Sequence, residues 1–272
     1  MKRVSRLAAT AVTIASLAIP ASAGAVTLFG SGSSAAYPYF QELFRVYHQL
    51  HHNVKFKYIP DGGNAGVQDV QAGRSEFAIQ TRLPLPSDAG TTWDKLFLDG
   101  MCIAVNRSNS ASDISLSNLA NVFLGIDTSW SQVPGSNLTT TIDPVGRNSS
   151  AGSYTFFQTS VLNGKTQSSN VFQAQSDGLV AVAVNRDPNA IGYVGLSQSG
   201  SGSGVKKLDV NGLACDAANI RNESYPLFRY IWSVLPNNHP SVAVERFLDW
   251  VRTSKVAGRV IGLAGAVPAF NK

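Results

Sequence analysis

Three times in this 272-residue chain a short apolar run ends in a turn of small residues and then opens a helix-like segment. Val26 to Gly30 leads into Gly30-Ser31-Gly32-Ser33-Ser34-Ala35-Ala36, and Pro38 follows near a first helical turn, where its missing N–H costs nothing. Phe40, Leu43, Phe44, Tyr47 and Leu50 then recur at helical spacing. Val54 to Ile59 alternates apolar and polar, as a half-buried strand does, and runs through Asp61-Gly62-Gly63-Asn64-Ala65-Gly66 into a helix over Val67 to Ala72. Further on, Thr141 to Val145 feeds Gly146-Arg147-Asn148-Ser149-Ser150-Ala151-Gly152-Ser153, with a helix from about Tyr154 to Leu162. Strand, loop and helix in alternation predict an α/β fold with a largely parallel sheet.

The rest of the chain fits that class. Phe77 to Ile79, Leu96 to Val105, Ile191 to Val194 and Val205 to Val210 read as strands. Leu116 to Phe123 reads as a helix, and Ser176-Asp177 can cap another over Gly178 to Asn185. Tyr225 to Val234 is apolar and aromatic, and Ser241 opens one long final helix. No internal repeat, coiled coil or long low-complexity tract interrupts the pattern.

The first 23 residues read differently. Lys2, Arg3 and Arg6 precede an apolar stretch from Leu7 to Ile19, and Pro20 and Ala21-Ser22-Ala23 close it. That is the layout of a cleaved secretory signal, too short in its apolar part for a membrane span of ~20 residues. No Cys stands at the cleavage site, so a lipid anchor there is not expected. Lys2, Arg3 and Arg6 supply three units of the formal net charge of +5, so the basic balance of the whole chain does not point to nucleic acid. About 250 residues remain, enough for one large domain or two smaller ones. Cys102 and Cys215 can pair in an oxidising compartment or stay as two separate buried thiols, and sequence leaves both open.

The chemistry lies in the three loops. A helix N-terminus leaves about four backbone N–H groups free and adds partial positive charge, so each loop is a candidate seat for an oxyanion. One Gly/Ser loop is a weak signal; three, one of them led by Arg147, are stronger, because a guanidinium can grip an anion with two parallel bonds.

These residues resemble the phosphate-binding protein of bacterial phosphate ABC transporters, a periplasmic substrate-binding protein of type II. Gly30-Ser31-Gly32-Ser33-Ser34, Gly63-Asn64-Ala65-Gly66-Val67 and Arg147 to Ser153 match the family's three anion loops in order. Leu119 to Gly125 with Trp130, Ala190 to Val194 and Tyr225-Pro226-Leu227 match further segments. The resemblance implies two lobes, each a mostly parallel sheet flanked by helices, with the ligand in the cleft and hinge closure over it. Lobe I would comprise residues 24–103 and 191–272, and lobe II residues 104–190. It implies binding of phosphate or a related oxyanion by Ser34 and Ala35, by Gly63 and Asn64, by Thr81, and by Arg147, Ala151, Gly152 and Ser153. It further implies an inner-membrane permease as partner, a periplasmic monomer, and no cofactor, metal or nucleic acid.

Three positions depart from the family pattern. Gly63 and Ala151 stand where the family has serine. Thr81 stands where the family usually has an aspartate that accepts the proton of phosphate and repels sulfate, so discrimination between the two anions is expected to be relaxed. Arg82 adds positive charge if it faces the cleft. Two other readings compete. One is a secreted sensor or scaffold that kept the fold and lost tight binding. The other is a weak phosphoesterase, because Gly32-Ser33-Ser34-Ala35-Ala36 nears a nucleophile elbow but lacks its final glycine. His48, His51 and His52 have metal-compatible spacing, yet no carboxylate or Cys beside them, and read as a polar helix end.

Overall fold

The structure is a computed structural model that describes residues 24–200, 202 and 204–269. The expected signal segment lies outside the described residues. The chain opens with β1 (Val26–Gly32), α1 (Tyr37–Leu50), β2 (Val54–Ile59), α2 (Gly63–Gln71) and β3 (Phe77–Gln80). Strand β4 (Thr91–Asn106) then crosses to the second half. There the chain forms β5 (Asp113–Ile114), α3 (Leu116–Leu124), β6 (Asp143–Arg147), α4 (Gly152–Ser160), β7 (Phe172–Ala174), α5 (Asp177–Arg186), β8 (Ala190–Gly195), β9 (Val205–Val210) and α6 (Ala217–Arg221). Strand β10 (Phe228–Pro236) returns to the first half, where α7 (Val242–Thr253), α8 (Lys255–Leu263) and β11 (Val267–Pro268) finish the chain.

The sheet order is β2-β1-β3-β10-β4-β8-β6-β7. The two outer triplets are parallel: β1 lies between β2 and β3, and β6 lies between β8 and β7. Between them, β10 and β4 run antiparallel to their neighbours and to each other. The expected parallel order therefore holds within each half. The mixed centre arises because β4 and β10 carry the chain across and back. Each of α1, α2, α4 and α5 starts at the carboxyl end of a parallel strand, where ligands of open α/β sheets bind.

Two apolar cores flank the crossing strands. The first packs Leu28, Phe40, Leu43 and Phe77 against Phe97, Phe247 and Ile261. The second packs Ile103, Phe123, Trp130 and Phe157 against Tyr193, Leu208 and Tyr225. Phe157 stacks on Tyr193 at 4.2 Å, and burying each such ring contributes roughly 2–3 kcal/mol. The packing departs from the division expected at residue 191. Ile191, Leu208, Ile220 and Tyr225 all join the second core, because β8 pairs with β6 and with the far half of β4. The return to the first core is made by β10. The long final helix is also corrected: it breaks at Ser254, whose hydroxyl accepts from Val256 N and caps α8. Cys102 and Cys215 form a disulfide across 113 residues of sequence.

Candidate functional site

The three loops converge in the cleft between the cores. Strand β1 ends at Gly32, whose φ of 122° is closed to side-chain-bearing residues and whose missing Cβ leaves room for Ile79 O. The chain then turns through Ser33, whose Oγ accepts from Ala36 N at 3.1 Å, and sends the Ser34 side chain across the cleft. Gln198 Nε2 pins this turn by donating to Ser34 O at 3.0 Å. Ala35 is fully buried beneath it.

Strand β6 delivers Arg147, whose side chain is 1% exposed. Its Nε donates to Ala174 O at 3.0 Å and its Nη2 to Gln175 O at 3.0 Å. Its Nη1 donates to Ser34 Oγ at 2.9 Å and to the Asp177 carboxylate. Its backbone is held as firmly: Arg147 N donates to the Tyr193 hydroxyl at 2.9 Å, and Gln167 Nε2 donates to Arg147 O at 3.1 Å. Burial pushes the Tyr193 phenol well up, so it stays a neutral donor and acceptor.

Asp177 is the group that the sequence reading saw only as part of a helix cap. It is fully buried at the first position of α5, where the helix dipole favours a carboxylate. Ser34 Oγ donates to its Oδ2 at 3.1 Å, Ser153 Oγ to its Oδ1 at 3.0 Å, and Arg147 to its Oδ2. The expected binding residues Ser34, Arg147 and Ser153 are thus brought together around one carboxylate. Pattern reasoning missed it because no periodicity marks a buried acid. The usable signal was an acidic residue at the start of a helix in the half that also supplies Arg147.

A second buried pair lies behind the first. Arg229 of β10 donates through Nε and Nη2 to Asp99 Oδ2 of β4, at 2.9 and 2.8 Å. Tyr39 OH donates to Asp99 Oδ1 at 2.9 Å, and Arg229 Nη1 reaches Ser153 Oγ at 3.3 Å. Burial first, then the Asp99 charge, raises the Tyr39 phenol well above its ordinary value. Tyr39, Asp99, Arg229, Ser153, Asp177, Arg147 and Ser34 form one polar chain through the cleft.

The other expected site residues are placed as follows. Gly152 opens α4, and its N-cap, Ala151, offers no side chain to the helix amides. A Cβ on Gly152 would collide with Gln80 Oε1 and come within 2.9 Å of Thr81 Oγ1. A Cβ on Gly63 would also collide with Gln80 Oε1, so the buried Gln80 side chain lies between the N-termini of α2 and α4. Gln80 Oε1 accepts from Thr81 N at 2.7 Å. Thr81 is fully buried, and its Oγ1 has no hydrogen-bond partner. Arg82 does not bring free charge to the cleft: it grips Asp88 at 2.7 and 2.9 Å, with its guanidinium over Trp93.

Asn64 joins the two halves. Its Nδ2 donates to Ser149 O at 2.9 Å, Ala151 O at 3.3 Å and Thr155 Oγ1 at 2.9 Å, all on the opposite side of the cleft. Its Oδ1 accepts from Arg82 Nε at 2.6 Å, and the backbone N–H groups of Asn64 and Ala65 donate to Ser150 O. The cleft is closed by these bonds. Asn64→Ala removes three of them and is expected to shift the equilibrium toward an open form by roughly 1–3 kcal/mol. Small-angle X-ray scattering checks this: the variant's radius of gyration should rise, and an unchanged profile would mean that other contacts hold the cleft shut.

Among the described residues no group of three or more His, Cys, Asp or Glu side chains is placed to hold a metal, and no helix is long and apolar enough to cross a membrane.

Comparison with known proteins agrees with this architecture. The phosphate-binding protein PstS of Borreliella burgdorferi is 24% identical over 234 residues, covering 82% of this chain and 83% of the relative. The protein of the same name from Staphylococcus aureus is 28% identical over 263 residues, covering 89% and 78%. Among solved structures, a putative phosphate ABC transporter substrate-binding protein with bound phosphate from Clostridium perfringens superposes with a TM-score of 0.84 at 21% identity, over 89% of this chain and 99% of that one. An ABC-type phosphate transport receptor from Vibrio cholerae gives 0.72 at 21% identity, over 88% and 99%. At those identities the two structures speak for the two-lobed fold alone. Residues 18–255 match the PBP superfamily domain, and the chain belongs to that family.

Proposed function

We propose that the protein is an exported solute-binding protein that captures phosphate or a chemically similar oxyanion and hands it to an ABC permease. One observation carries this reading. Two hydroxyls, Ser34 and Ser153, and the Arg147 guanidinium converge on a single oxyanion, the Asp177 carboxylate, beside the N-termini of α1 and α4, neither of which has a side-chain cap. A pocket that gathers donors in this way suits a tetrahedral anion. Ser34, Ala35, Thr81, Arg147, Ala151, Gly152 and Ser153 would contact it, while Gly63 and Asn64 would act in closure. The names of the relatives point the same way.

Binding rather than catalysis fits the environment of Ser34. Its hydroxyl accepts from Arg147 and donates to Asp177, a carboxylate already engaged by that guanidinium, and neither of these partners is an imidazole base of the kind that activates a serine. The reading includes export to the periplasm through a cleaved signal, without a lipid anchor, and action as a monomer; of these, the disulfide supports the oxidising compartment.

Calorimetric titration of inorganic phosphate into ligand-stripped protein, residues 24–272, should give saturable binding of one anion per chain. Absence of heat, together with no thermal stabilisation at millimolar phosphate, would favour a second reading, a sensor or scaffold without tight binding. The specific observation behind that alternative is the Gln80 side chain lodged between two of the helix N-termini.

A further inference from the structure

Resting on the oxyanion-binding reading, we propose that the cleft takes a tetrahedral oxyanion bearing one small apolar substituent, of the phosphate-monoester or phosphonate class, with the substituent in an aromatic pocket beside the seat.

The pocket has a volume of about 180 Å³. Thr81, just past β3, lines it from the first half, Phe156 of α4 from the second, and Phe228, Arg229, Tyr230 and Trp232 of the crossing strand β10 complete it. Like the seat, it is built from both halves of the chain. Two of its residues also border the seat. Arg229 Nη1 reaches Ser153 Oγ at 3.3 Å. Thr81 Oγ1 lies 2.9 Å from the place a Cβ on Gly152, the first residue of α4, would take. Thr81 is fully buried and its Oγ1 has no hydrogen-bond partner, a costly state for a buried hydroxyl. A ligand oxygen at the uncapped N-terminus of α4 would supply that partner.

The chemistry of the pocket differs from that of the seat. Aromatic rings dominate its wall, and its polar groups are already matched. Arg229 is paired with Asp99 and Arg82, also on the wall, with Asp88. The Tyr230 hydroxyl donates to Glu223 Oε1 at 2.9 Å. The rings are braced as well: Lys95 Nζ sits 3.9 Å from the Tyr230 centroid, and Trp93 packs edge-on against Trp232. A second anionic group would find no free counter-charge here, whereas an apolar group gains burial and ring contacts. Volume sets the upper size. An apolar cavity of about 150 Å³ takes a benzene molecule, so this one has room for a phenyl ring or a short alkyl chain. Inorganic phosphate would use the seat alone.

The test is calorimetry at pH 7.5 on ligand-stripped protein, residues 24–272, with inorganic phosphate, methyl phosphate, phenyl phosphate and phenylphosphonate. Each buried methylene is worth about fourfold in affinity, so phenyl phosphate should bind at least about tenfold more tightly than methyl phosphate. Comparison of phenyl phosphate with phenylphosphonate tells which linkage the junction at Thr81 prefers, and tighter binding of either than of methyl phosphate supports the proposal. In Trp232→Ala the ratio of phenyl to methyl phosphate affinity should shrink by roughly threefold to tenfold, the worth of one aromatic contact. A folded variant that keeps the ratio overturns the proposal. So does unmodified protein that binds inorganic phosphate and binds both phenyl ligands no better than methyl phosphate, a result that needs no variant and leaves the oxyanion reading standing. No binding of any of the four by folded, unmodified protein removes the oxyanion reading itself, and this inference with it.

Discussion

Replacing Cys102 and Cys215 together by alanine is expected to destabilise the protein by about 4 kcal/mol. The bond closes a loop of 113 residues, and loop closure on that scale restricts the unfolded chain by an amount worth roughly 4–5 kcal/mol. Its position adds to the effect. Cys102 lies on β4 just beyond the crossing point, and Cys215 lies between β9 and α6, both buried in the second core. The bond thus ties the strand that enters the second half to the segment that prepares the return through β10. Packing there is tight: a Cβ on Gly100 would fall 2.9 Å from Cys215 Sγ and 2.7 Å from Ile220 Cδ1. Two alanines leave a small void as well as a free loop. For a chain of this size each kcal/mol moves the midpoint by roughly 2–4 °C, so calorimetric melting should shift down by about 8–16 °C. Protein refolded with both buried thiols kept reduced should also melt below the oxidised protein, by the loop contribution without that of the void. A shift of only a degree or two would mean that the unfolded chain is already restricted by other residual contacts.

The loss would be felt most in the second half, the part whose organisation was hardest to read from sequence. Strand, turn and helix around Ser34, Gly63 and Arg147 were legible because each loop announces itself by small residues between apolar runs. Their convergence in one cleft follows from the parallel order of β1, β2 and β6. The length of β4 was not legible. Thr91 to Lys95 mixes polar and apolar residues, and only its pairing with β10, from Thr91↔Pro236 to Gly100↔Phe228, makes it a strand. The division of the halves is not legible for a related reason. Ile191 to Val194 reads as a buried strand wherever it pairs, and sequence does not say that its partners are β6 and the far end of β4. The polar residues that shape the site were the least visible. Asp177, Asp99, Arg229 and Gln80 owe their burial to tertiary partners up to 143 residues away, and no local period encodes such a pairing.

Asp99→Ala is the second change expected to have a large effect, about 3–5 kcal/mol of stability lost. Asp99 and Arg229 face each other across β4 and β10, the two strands that join the cores, and both side chains are 1% exposed or less. Truncating the acid leaves the Arg229 guanidinium buried without its counter-charge, the costly way to break such a pair. It also strips Tyr39 OH of its acceptor. The pair itself need not be a net stabiliser, since its desolvation penalty offsets much of its attraction. A double change to apolar residues of similar size, Asp99→Leu with Arg229→Met, should therefore recover much of the loss. Urea unfolding of the two variants separates the possibilities. If the single variant is weak and the double variant is restored, the cost was the orphaned charge. If both are equally weak, the pair holds β4 and β10 in register by geometry that apolar side chains cannot reproduce. The site gives an independent readout. Arg229 Nη1 reaches Ser153 Oγ, so an arginine released from Asp99 can draw that hydroxyl from Asp177. Phosphate affinity should change in Asp99→Ala at temperatures where the protein is still fully folded. An affinity equal to that of the unmodified protein would mean that the pair behind the seat supports the fold without tuning the ligand.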